Sequence, residues 1–132
     1  MPEYMCFKTD KEKEQWDRVD PRVKGLLLAL ALWQYLKWGI WLTITCIVRT
    51  PDENLAVGGM IKSAHVMVPN QIWARAVDLR NIGLTPEQQR ERREFVLVYW
   101  NWKTMPPMFH MIDHDAGGGQ HTHLNLNYQY MI

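Results

Sequence analysis

From Val23 onward the apolar positions Leu26, Leu27, Leu30, Trp33 and Leu36 recur at helical spacing, which predicts a helix that Gly39 stops. Asp20-Pro21 suits its start, with Asp as the cap and Pro in the first turn. The segment is apolar on nearly every side, so a central, buried helix is expected. Its unbroken apolar run, Gly25 to Trp33, has nine residues, against about 20 for a bilayer span. Gln34, Lys37 and Gly39 interrupt the remainder of the segment, and no membrane span or membrane partner is expected.

Trp41 to Val48 is β-branched and alternating, which predicts a strand with Leu42, Ile44, Cys46 and Val48 on one face. Thr50-Pro51-Asp52 opens a short helical turn through Val57, and Gly58-Gly59 ends it. Arg75 to Leu79 reads as a second strand. Thr85, Pro86 and Glu87 cap a helix running to about Trp102. Met105 to Ile112 is a third strand, Gly117-Gly118-Gly119 a loop, and His121 to Asn127 alternates as the last strand. Asp10 to Glu14 is charged and solvated, and residues 1–19 are expected to form a peripheral arm. The fold class is α+β: one small domain over residues 1–132, with a mostly antiparallel sheet and flanking helices.

Composition narrows the function classes. With 47% apolar residues the chain can bury a core, which excludes disorder. Fifteen Lys and Arg against fourteen Asp and Glu leave a net charge of +1, so no global field argues for nucleic acid or an anionic membrane. Cys6 and Cys46 are too few for a disulfide framework and read as ordinary intracellular thiols. The charged stretch Asp10 to Lys24 precedes the apolar run, so no export signal is recognised.

Three places concentrate metal-ligand chemistry: Ser63-Ala64-His65, Ala76-Val77-Asp78 and His121-Thr122-His123. Zinc takes imidazole nitrogen and carboxylate oxygen, and a catalytic site uses three protein ligands and one open position. His65, Asp78 and one of the two late histidines would supply that set. On a strand His121 and His123 share a face, so one can ligate while the other stands beside the open position.

Thr45-Cys46-Ile47-Val48-Arg49-Thr50-Pro51, then Asn54, Val57-Gly58-Gly59, Ser63-x-His65, Ala76-x-Asp78 and the late His-x-His resemble the zinc D-Ala-D-Ala peptidase family of carboxypeptidases, dipeptidases and phage endolysins. The resemblance covers about Leu42 to Leu126. It implies that His65, Asp78 and His123 hold Zn2+, that Arg49 pairs with a substrate carboxylate and that Ser63 bonds the substrate backbone. A guanidinium suits that role because its fork meets a carboxylate with two hydrogen bonds. It further implies a peptidoglycan peptidase of a phage, waiting in the host cytoplasm for lysis or carried with other virion proteins.

Two departures qualify the match. The family's usual step from the first His to the Asp is seven residues; here it is thirteen, with six residues inserted within Val66 to Trp73 and Ala74 at a glycine position. The insertion reads as a looped-out hairpin, or as a lid carrying Ile72 and Trp73. Half the family places a glutamate three residues before the last ligand, where this chain has Gln120. His121 is then the expected catalytic base, since imidazole titrates near neutral pH. Asp113, His114 and Asp115 are reserve candidates, for the base or for orienting a ligand, though they read first as a polar turn. The alternative function is a weakened or inactive binding module with the same fold.

Overall fold

The computed structural model describes residues 3–56, 63–68, 71–100, 107–115, 120–127 and 130, with backbone alone for 99, 100 and 115. Five strands form one sheet: β1 (Met5–Phe7), β2 (Leu42–Cys46), β3 (Ala76–Leu79), β4 (Phe109–Asp115) and β5 (Gln120–Leu126), in the order β1-β2-β3-β5-β4. Among the described residues four α-helices accompany them: α1 (Asp10–Gln15), α2 (Pro21–Trp38), α3 (Pro51–Ala56) and α4 (Pro86–Glu94). The fold is α+β and the sheet is mixed. β1 lies parallel to β2, and the other three pairings are antiparallel. The parallel pair follows from connection: α1 and α2 carry the chain back across before β2 begins, as parallel neighbours require.

The segment expected as a peripheral arm contributes β1 instead. Met5 is buried in the core and Val19 pairs with Ala74. Three residues are too short a run to show alternation, which is why the strand escapes a reading of the pattern.

α2 starts on Asp20, whose side chain accepts from the Arg22 amide at 2.9 Å. It ends at Gly39, whose φ of +69° is the left-handed cap that glycine adopts at little cost. Val23, Leu26, Leu27, Leu30, Ala31 and Gln34 pack inward. The helix is not buried all round, however: Leu28, Leu32 and Leu36 are 45%, 47% and 73% exposed. Apolarity on every side therefore overstates its burial, because a helix against one face of a sheet covers only one stripe. Among the described residues no helix is long and apolar enough to cross a membrane.

The pleat sorts the sheet. Val77 and Leu79 of β3, Leu124 and Leu126 of β5, and Phe109 and Met111 of β4 join the α2 residues in the core. Their neighbours Asp78, His121, His123, Asn125, His110 and His114 therefore project from the opposite face. On the core side Arg92 of α4 is fully buried, donating to Gln34 Oε1 at 3.2 Å and to Thr122 Oγ1. Thr122 in turn donates to Asp113, which also accepts from Arg93 and, at 3.2 Å, from Asn81. This network ties α4 to the back of β4 and β5.

α4 continues from Phe95 to Trp100 as π-helical turns. β4 reaches Asp115, three residues beyond the expected end, so Asp113 and His114 belong to a strand and not to a turn. Val57, Gly58-Gly59, Gly117 to Gly119, Trp102 and Met105 lie outside the described residues, as do Pro69 and Asn70 of the inserted segment. Ile72 and Trp73 of that segment are exposed, and Ala74 is buried against Val19.

Candidate metal centre

Asp78 is the hub. Its cross-strand partner on β5 is His123, and directly opposed antiparallel residues project to the same side. On β2 the partner of Asp78 is Cys46, while Leu79 pairs with Ile44. Two steps along β2 thus match one along β3, a β-bulge at Thr45. Alternation would keep Cys46 on the core face with Leu42 and Ile44, as the sequence pattern suggests. The bulge overturns that expectation and turns Cys46 to the Asp78 side.

His65 arrives from the segment before the inserted residues. Its carbonyl accepts from the Arg49 amide at 3.0 Å, and its amide donates to Ser63 Oγ at 3.3 Å. The ring is almost fully buried. Nδ1 lies 2.9 Å from the Ile47 carbonyl and Nε2 lies 2.9 Å from Asp78 Oδ1. His123 repeats this arrangement: Nε2 is 2.9 Å from Asn125 Oδ1, and Nδ1 is 3.1 Å from the same Asp78 Oδ1. Asn125 is itself fixed by donating from Nδ2 to the Leu126 carbonyl at 3.0 Å, so its oxygen faces the imidazole.

These contacts set the tautomers. A backbone or amide oxygen can only accept, so Nδ1 of His65 and Nε2 of His123 carry protons. Each ring then aims its other nitrogen at one carboxylate oxygen. Two lone pairs and an anionic oxygen at 2.9–3.1 Å need positive charge among them. Protons on the imidazoles would supply it, and so would one cation. Zinc donors about 2.0–2.1 Å from the ion in a tetrahedron stand about 3.3 Å apart, close to the separation of each imidazole nitrogen from Asp78 Oδ1. An oxygen holding the outer N–H is also the usual support of a ligating histidine.

Charge follows the same geometry. Burial works to raise the Asp78 pKa, but hydrogen bonds from His123 and His65 and the charges of His65 and His121 hold it well below the carboxylate range. Burial likewise pushes His65 down, but the Asp78 carboxylate, with Cys46 beside the ring, pushes it up to about 10. Among the described residues, Cys46, His65 and Asp78 form a group that could hold a metal ion, with their ligand atoms all within 4.8 Å of one another.

The other expected residues border this hub. His121 Nε2 lies 3.5 Å from Asp78 Oδ2, and its ring meets that of His114 at 4.4 Å. Burial and the neighbouring His121 and His123 keep the His114 pKa low. Arg49 donates to Asp78 Oδ2 and to Asn54 Oδ1, each at 3.2 Å. Ser63 bonds the His65 backbone. Gln120 is exposed and, one residue before His121 on β5, projects from the other face of the sheet. Asp113 also faces away, into the Arg92 network, and so orients no histidine of the centre; the Asp115 side chain is outside the described residues.

Sequence reasoning missed Cys46 and Asn125. Asn125 carried a usable signal, since a residue two beyond His123 on a strand shares its face. Cys46 carried none, because the bulge is invisible in the apolar pattern. No family model matches the chain, and neither any curated protein nor any solved structure does.

Proposed function

We propose that the protein is a zinc-dependent peptidase of peptidoglycan stem or cross-link peptides, a phage endolysin or a wall hydrolase carried with other virion proteins. The observation that carries the reading is the convergence of His65 Nε2 and His123 Nδ1 on one oxygen of Asp78, each ring secured from behind by an oxygen. Nitrogen and oxygen donors of this kind suit zinc. In such a site the ion supplies a Lewis acid for the scissile carbonyl and lowers the pKa of water.

The chain's own residues do the rest. His121, beside Asp78 and on the same face as His123, accepts a proton from water and passes it to the leaving amine. Arg49 binds a peptide carboxylate in exchange for its bond to Asp78 Oδ2. Ser63 positions His65 through the backbone and offers its hydroxyl to the substrate chain. One observation favours a second reading, a metal-holding module without turnover: the Cys46 thiol stands where a further donor would close the site.

Elemental analysis of the purified protein and mass spectrometry of fragments released from defined muropeptides test both. About one zinc per chain with chelator-sensitive cleavage is expected. Bound zinc with no cleavage of any wall peptide would leave the module reading standing, and no bound metal would remove both.

A further inference from the structure

We propose that Cys46 is a donor to the metal held by His65 and Asp78, the three residues whose ligand atoms stand within 4.8 Å of one another, with His123 bordering the set through Asp78; this rests on the metal-site reading above. The resemblance in the sequence assigns no such role to Cys46. Three features place it. The bulge at Thr45 breaks the alternation of β2 and makes Cys46 the direct cross-strand neighbour of Asp78. Asp78 is in turn the cross-strand neighbour of His123, so Cys46, Asp78 and His123 form one row across β2, β3 and β5. The sulfur lies within 4.8 Å of the ligand atoms of both His65 and Asp78.

A nucleophilic thiol relay is the competing use of Cys, His and Asp, and the geometry argues against it. A relay needs the base to receive the thiol proton on one ring nitrogen while the carboxylate holds the other. In His65 the carboxylate holds Nε2, and the nitrogen opposite is taken by the Ile47 carbonyl. The sulfur and the carboxylate instead stand within 4.8 Å of each other and of the ring, as donors around a common centre do. A thiolate ligand makes the set softer than one of nitrogen and oxygen alone. Bound together with His123, it would also fill the position that hydrolysis needs open, and turnover would then require the Cys46 sulfur to leave.

Cobalt(II) titration of the whole chain tests this, with the metal alone as the probe. A near-ultraviolet thiolate-to-cobalt charge-transfer band is expected in the wild type and in Cys6→Ser, and is lost in Cys46→Ser while the visible bands of tetrahedral cobalt persist. Zinc affinity of Cys46→Ser should fall by at least the roughly 10–100-fold that loss of an outer partner costs. In the wild type, zinc should slow iodoacetamide labelling of Cys46 and leave Cys6 unchanged, since a bound thiolate is not free to attack. This arm needs no variant to fold. Cobalt binding without a charge-transfer band, a band that survives Cys46→Ser, or equal labelling of Cys46 with and without zinc would each overturn the proposal while sparing the metal site. No cobalt binding at all would overturn both.

Discussion

Asn125 shows how much a single outer side chain decides. Its oxygen holds His123 Nε2 at 2.9 Å, which leaves Nδ1 as the free lone pair directed at Asp78. Asn125→Ala releases both the ring and its tautomer. Zinc affinity, read by competition with a chromophoric chelator, should drop about 10–100-fold with the fold intact. Unchanged affinity would mean that His123 does not bind through Nδ1. Asp20 makes the same point away from the site. It is buried at the α2 N-terminus and is held by Arg22 through the amide, Nε at 3.0 Å and Nη2 at 2.9 Å. Burial works to raise its pKa, but these bonds outweigh it and hold the value below the ordinary one for an aspartate. A carboxylate depressed in this way stabilises the fold above its unfolded pKa, and that contribution is lost as pH falls through the folded value. Asp20→Ala should therefore cost about 0.5–2 kcal/mol at neutral pH. The gap in melting temperature between variant and wild type should narrow below about pH 4.

β5 carries opposite tasks on its two faces. His121 and His123 face Asp78, while Thr122 between them faces the core and links Arg92 to Asp113. Gln120 shares the Thr122 side, so Gln120→Glu places a carboxylate behind the sheet and should yield no gain in wall cleavage. His121→Ala should lose on the order of 10²–10⁴ in rate, the usual share of general acid–base catalysis, with zinc retained. A gain from Gln120→Glu would mean that β5 twists differently at its start. Thr122→Val keeps shape but deprives the buried Arg92 and the partly buried Asp113 of a partner, at a cost of about 1–3 kcal/mol in urea unfolding. The parity of β5 was legible in His-x-His, as were both ends of α2 in Asp20-Pro21 and Gly39, because local chemistry sets them. The β2 bulge was not legible, since it arises from pairing with β3. Nor were β1, too short for a period, and the exposed side of α2, which depends on what the sheet leaves uncovered. The order of the candidate ligands along the chain was readable; that Cys46 stands within 4.8 Å of His65 and Asp78 was not.

At the scale of the molecule, the centre joins segments far apart in sequence: the end of β2, the His65 segment, β3 and β5. The unfolded chain offers no preformed site, so a metal bound here binds the native state alone. Such binding stabilises by RT ln(1 + [L]/Kd), about 2.7 kcal/mol when free zinc is a hundred times Kd. For a chain of this size that corresponds to a rise in melting temperature of about 10 °C. The rise should reverse fully with a chelator and should grow with the logarithm of free zinc. His65→Ala and Asp78→Ala remove a proposed ligand each and should show no zinc-dependent shift. Arg49→Ala keeps every proposed donor and should retain the shift, though it removes the bonds to Asn54 and Asp78 from the apo protein. Calorimetry of the four proteins, each with zinc and with chelator, separates the cases. A wild type indifferent to zinc would remove the metal from the fold's stability, and a shift equal in His65→Ala would place the ion elsewhere on the chain.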